Sequence, residues 1–168
     1  MGSSRHATPP RIVGRVRVEE PGRSPLVVVL GSAGPGLTRV HRVLVSAGVP
    51  VVFGEVRTEA ARTQLIADHW ARWQRGPVLA VLVDPVPVDW SVPTALGART
   101  VVVLSADPDP TSLADLLLRG ACAVVRGAEV DQDLAPVLSL VVRGYVAMDA
   151  ARMADLTDAA VVQVPSHQ

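Results

Sequence analysis

The chain has 168 residues, 49% of them hydrophobic, and a formal net charge of +0. That length suits one domain with short extensions, the apolar share rules out global disorder, and the neutral balance removes any chain-wide pull toward nucleic acid or anionic membrane. All sixteen basic residues are arginine, and asparagine is absent as well. A P-loop lysine, a lysine Schiff base and Cys-His-Asn chemistry are therefore excluded. The single cysteine, Cys122, cannot form an internal disulfide or a multi-thiolate metal site. No apolar run is long enough to span a bilayer, and Met1 to Pro10 lacks the apolar core of a secretory signal. The expected location is cytoplasmic.

Residues 1–25 read as a flexible N-terminal extension, punctuated by Pro9, Pro10, Gly14, Pro21, Gly22 and Pro25. Within it, Arg15 to Val18 alternates with period two, a weak strand signal that would suit addition to a sheet edge or to a partner. From Leu26 the pattern changes. Leu26–Leu30 is a β-branched and leucine run ending at Gly31, as expected of a strand buried on both faces. Leu37, Val40, Leu44 and Ala47 then follow helical spacing up to Gly48. Val49–Phe53 is a second strand. Thr58 is positioned to cap a helix running to Trp73, with Ile66, Trp70 and Trp73 on one stripe.

Pro77–Val83 forms a third strand ending at Asp84, and Pro85 and Pro87 force an extended loop after it. A short, poorly formed helix is expected over 89–97. Thr100–Leu104 is a fourth strand ending at Ser105. The aspartates and threonine of Asp107–Thr111 can cap the next helix, which carries Leu113, Leu116 and Leu117 and stops at Gly120. Ala121–Val125 is a fifth strand. Asp131–Tyr145 is a fifth helix, with Leu134, Leu138, Val141 and Tyr145 on its stripe. A further amphipathic stretch surrounds Met153 and Leu156, followed by a polar tail. Residues 26–147 thus make the domain and 148–168 a C-terminal helix or linker tail.

Five β-α units of this kind imply an α/β fold: a doubly wound, five-stranded parallel sheet with right-handed crossovers. Such sheets place their sites at the carboxyl ends of the strands, here Gly31-Ser32, Gly54-Glu55, Asp84, Ser105 and Arg126.

The run Thr100–Ala106, the loop and leucine helix after it, Gly120-Ala121, the next strand and a helix closing near Gly144 resemble the receiver domain of bacterial response regulators. The nearest group carries a LuxR-type helix-turn-helix behind the receiver. The resemblance implies a flavodoxin-like (βα)5 fold over roughly residues 26–147, and it places Asp84 where the family's phosphoacceptor stands and Ser105 at its hydroxyl position. The family's acidic, Mg²⁺-holding pair falls on Gly31 and Ser32, which offer a hard cation no carboxylate. Its lysine falls on Gly127, beside Arg126, which has a different reach and points to the other face of the strand. Its mobile aromatic residue falls on Val124. The resemblance therefore implies an atypical receiver, or pseudo-receiver: the fold kept for interaction, the phosphorylation switch dismantled, with no catalytic residue, metal or cofactor. By the same resemblance, a dimer surface around Arg119, Arg126 and Arg143 would meet Asp115 and Asp131 of a second copy or another protein. DNA would be reached only through an output domain that this sequence does not display.

A second reading, a small-ligand sensor or enzyme, rests on the loop containing Gly31, Ser32, Gly34 and Gly36. A glycine-rich turn before a helix can present backbone N–H groups to an anion. Its frame is Gly-x-x-Gly-x-Gly, and Leu37 stands where a P-loop needs lysine, which argues against nucleotide hydrolysis. Asp89 and Asp107 could neighbour Asp84 around a weakly held cation. His41 and His69 have no partner at metal spacing, and no Gly-x-Ser-x-Gly occurs.

Overall fold

Short valine-rich runs without polar alternation, bounded by glycine or proline, favour strands covered on both faces. A computed structural model of the chain describes residues 11–15, 25–54, 58–73 and 76–148. In chain order they form β1 (Arg11–Arg15), β2 (Leu26–Gly31), α1 (Pro35–Ser46), β3 (Val51–Gly54), α2 (Glu59–Trp73), β4 (Val78–Val83), α3 (Ser91–Leu96), β5 (Arg99–Leu104), α4 (Pro110–Leu118), β6 (Ala121–Arg126), α5 (Val130–Val142) and β7 (Tyr145–Met148). Short 3-10 turns, Pro87–Trp90 and Gly127–Glu129, lead into α3 and α5.

The strands join in one sheet of order β1-β7-β6-β5-β4-β2-β3. Its parallel centre, β3-β2-β4-β5-β6, has the flavodoxin-like order, with the strand sequence reversing between β2 and β4. The expected five-stranded parallel sheet is therefore present, but the whole sheet has seven strands. β7 adds parallel to β6 through the pair Ala123–Ala147, and β1 adds antiparallel to β7.

The fifth helix ends at Val142, not Tyr145, because Gly144 adopts φ +87° and breaks the helical path. Part of the extension expected to be a flexible arm is an edge strand, Arg11–Arg15. Val16–Val18, Glu55, Met153 and Leu156 lie outside the described residues.

Side-chain alternation sorts the core into two layers. Val27, Val29, Val81, Val101, Val103 and Val125 face α1 and α5, meeting Val40, Leu44, Leu134 and Val141. Leu26, Val28, Leu30, Leu82, Val102 and Val124 face the other helices, meeting Ile66, Trp90, Val92 and Leu113. Each fully buried side chain of this size stabilises by about 1.5–3 kcal/mol. Cys122 breaks the alternation: Thr100 pairs with Ala121 and Val101 with Ala123, so Cys122 is the extra residue of a bulge and packs, half-buried, on the α1–α5 side with Ala123.

Because α5 lies on the same face as α1, the β6-α5-β7 connection has the opposite hand to the β3-α2-β4, β4-α3-β5 and β5-α4-β6 crossovers. Left-handed parallel crossovers are rare. Here the strand it delivers is short and meets β6 through one residue pair.

Helix boundaries follow local chemistry. Thr58 caps α2 as expected, its hydroxyl accepting from Ala61 N–H at 3.1 Å. Asp109 caps α4, accepting from Ser112 N–H at 2.8 Å and the Ser112 hydroxyl at 2.9 Å. These bonds to the ionised form hold the Asp109 carboxyl below its ordinary pKa. At the other end of α5, Arg99 Nη1 donates to Val142 O at 2.7 Å, placing a cation at the helix C-terminus.

Candidate functional site

The carboxyl ends of β4 and β5 bring Asp84 and Ser105 together. Asp84 is the one non-glycine residue with positive φ (44°) among the described residues, a conformation aspartate tolerates better than most side chains. Its N–H donates to Val103 O at 2.9 Å, continuing the β4–β5 ladder past the strand end. Its carboxylate turns onto Ser105: Oδ1 accepts from Ser105 N–H at 2.8 Å, and Oδ2 accepts from the Ser105 hydroxyl at 2.5 Å. One residue thus engages both carboxylate oxygens.

The glycine-rich segment closes over the same strand ends. Gly31 is buried, and a Cβ there would lie 3.0 Å from Val83 O, so close approach of β2 to β4 requires glycine. Ser32 is exposed. Gly34 is extended (φ 167°) at the start of α1, and its carbonyl accepts from Thr38 N–H at 3.1 Å. Gly36 sits against the pair: its Cβ would lie 3.5 Å from Ser105 Oγ and 3.9 Å from Asp84 Oδ2.

Sequence reasoning missed Arg39. From α1 its Nε donates to Asp131 Oδ2 at 3.0 Å, its Nη2 also donates to that oxygen, and its Nη1 donates to Gly127 O at 2.8 Å. Arg42 stands 3.8 Å from Asp131 Oδ1. The Arg39 hydrogen bond lowers the Asp131 pKa, with a smaller coulombic contribution, and Asp131 raises that of Arg39. No local pattern announces a contact between residues 92 positions apart; only the neighbouring of α1 and α5 creates it.

An open cleft of about 280 Å³ lies between α1 and the start of α5, with Gly36, Arg39, Val103, Ser105, Gly127 and Val130 in its wall. Gly127 approaches the end of β5 closely, its notional Cβ 3.2 Å from Leu104 O.

The remaining sequence candidates fall elsewhere. Arg126 pairs with Glu129 at 2.7 Å and Asp107 at 3.6 Å, away from the cleft wall. Asp115, Arg119 and Arg143 are exposed, whereas Asp131, expected to meet a partner's arginine, is held by this chain's own Arg39. Asp89 is buried as an internal cap, accepting from Val86 N–H at 2.9 Å. Among the described residues no three His, Cys, Asp or Glu side chains cluster as a metal site, and no helix is long and apolar enough to cross a membrane.

No family model matches the chain, and no curated protein matches it in sequence. Its fold does match solved structures. The RcsB response regulator of Salmonella typhimurium superposes with a TM-score of 0.57 at 15% identity, over 79% of this chain and 68% of that one. The signal receiver domain of the putative response regulator NarL from Mycobacterium tuberculosis matches with a TM-score of 0.48 at 23% identity, over 68% of this chain and 95% of that one. The chain therefore has the flavodoxin-like α/β fold of a response-regulator receiver. To that fold it adds β7 and β1 at one edge.

Proposed function

We propose that this chain is an atypical receiver whose phosphorylation switch is dismantled, and that it is not an enzyme but acts through protein contact in signalling or transcription regulation. The observation that carries the reading is the state of Asp84. Each of its oxygens accepts a hydrogen bond from Ser105, which ties up one lone pair on each and weakens both as nucleophiles. Phosphoryl transfer to a carboxylate needs positive charge to neutralise two anions as they meet. Gly31 and Ser32 bring no carboxylate for Mg²⁺, and Gly127 brings no side chain. Arg39, the cation of the cleft wall, is paired with Asp131.

The partner in this reading is a second copy or another protein, met in the cytoplasm, with DNA reached only through an output domain. Arg119 and Arg143 are exposed and available for such a contact, in which charge pairing sets register more than affinity. Arg126 and Asp131 make internal ion pairs, so the proposed surface narrows to Asp115, Arg119 and Arg143.

The test is intact mass after incubation with Mg²⁺ and acetyl phosphate, with Asp84→Ala as control. The expected result is no phosphoryl adduct. An adduct that disappears in the variant would mean that the switch still operates, and the mechanism proposed here would be wrong.

A further inference from the structure

The cleft beside Asp84 and Ser105 has a chemistry of its own, independent of phosphoryl transfer. Its wall includes Pro35 and Ala128, both exposed, so an apolar body is accommodated there. A guanidinium carries five N–H donors. Arg39 commits Nε–H and one Nη2–H to Asp131 and one Nη1–H to Gly127 O. One N–H on each terminal nitrogen remains, on a group already fixed by three bonds. A guanidinium held this way loses little further freedom when it meets a ligand. Ser105 complements it. Its hydroxyl has one proton, directed to Asp84 Oδ2, so toward anything else the oxygen is an acceptor only.

Charge narrows the ligand further. Arg39, the charged side chain of the cleft wall, is already paired with Asp131, and Ser105 in the same wall carries the Asp84 carboxylate, so no unpaired cation among the described residues faces the cleft. A phosphate at Ser105 would come close to the Asp84 carboxylate bonded to that hydroxyl and be repelled by it. The access is built by glycine. Gly127 is accounted for by its close packing on the end of β5, but Gly36 has neither a left-handed backbone nor a close backbone approach that would demand glycine. A side chain at position 36 would cover the Asp84–Ser105 pair.

We propose that this cleft binds a small uncharged molecule with an apolar body and an amide-type group. The carbonyl oxygen accepts from Arg39, the N–H donates to Ser105 Oγ, and the body lies against Pro35 and Ala128. The site is distinct in its chemistry from an anion-binding glycine loop, because its acceptor and the Asp84 carboxylate bonded to it both select against oxyanions.

The test uses three probes with the ¹⁵N-labelled protein: benzamide, benzoate and inorganic phosphate, each titrated while amide shifts are followed. Benzamide should move Gly36, Arg39, Ser105, Gly127 and Val130 in a saturable way. Benzoate should bind more weakly, and phosphate should leave these amides in place. Ser105→Ala should weaken benzamide roughly five- to tenfold, the usual worth of one hydrogen bond. Gly36→Val should abolish the shifts by filling the cleft, with circular dichroism confirming that both variants fold. Tighter binding of benzoate or phosphate than of benzamide would make this an oxyanion site and overturn the assignment. So would unchanged affinity in both variants, and the absence of any benzamide shift would reduce the cleft to a packing gap. None of these results depends on whether acetyl phosphate modifies Asp84.

Discussion

Arg39 and Asp131 stand 92 positions apart and tie α1 to the start of α5 by a two-nitrogen contact that Arg42 reinforces. The pair has a predictable pH signature. Its hydrogen bond depresses the Asp131 pKa in the folded chain relative to the unfolded one. The stabilisation is therefore present above the unfolded carboxylate pKa, about 4, and is lost as pH falls through the lower folded value. Asp131→Asn should melt below the parent protein between pH 5 and 8 (roughly, where carboxylates are ionised). The gap in Tm should close as the pH drops below about 4. A gap that persists unchanged into acid would mean that the charge of Asp131 contributes nothing. The exposure of the pair keeps the effect modest and makes it sensitive to salt.

α5 carries Pro136 in its interior, on an exposed position. Proline there offers no N–H to the carbonyl one turn earlier and crowds it, a cost of about 3 kcal/mol in an isolated helix. Pro136→Ala should raise Tm by several degrees, the gain reduced because alanine also loosens the unfolded chain. A lower Tm would show instead that a bend at Pro136 seats α5 on the sheet. The elements differ in how plainly the sequence announced them. The central strands were legible because Val-Val-Val runs such as Val27–Val29 and Val101–Val103 have no amphipathic alternative. β7 was not legible: Tyr145 continues the Leu134, Leu138, Val141 stripe, and four apolar residues carry no period of their own. Only the positive φ of Gly144 separates the helix from the strand. At the site, Asp84 and Ser105 were readable from strand ends alone. Arg39 was not, because its meaning comes from a contact between helices.

At the scale of the molecule, β7 depends on its neighbours. One residue pair joins it to β6, while β1 pairs with it from Arg11 to Arg15. Its connection also has the less favoured hand. Deleting residues 1–15 should leave the parallel centre folded, because β1 is the edge strand and pairs with β7, not with any strand of that centre. Hydrogen exchange should then show Tyr145–Met148 losing protection while Val101–Val103 keeps it. Loss of protection throughout would mean that β1 supports the whole fold and not its edge alone.

The antiparallel register of β1 and β7 sets Arg11 opposite Met148. The described part of the domain is thus entered and left through adjacent positions on the sheet, about 5 Å apart as neighbouring strands are. A unit with that geometry can interrupt a surface loop of a host chain without prising the loop open. By the same geometry, a short linker could join the two positions and new ends could be opened at a distant turn such as Gly97.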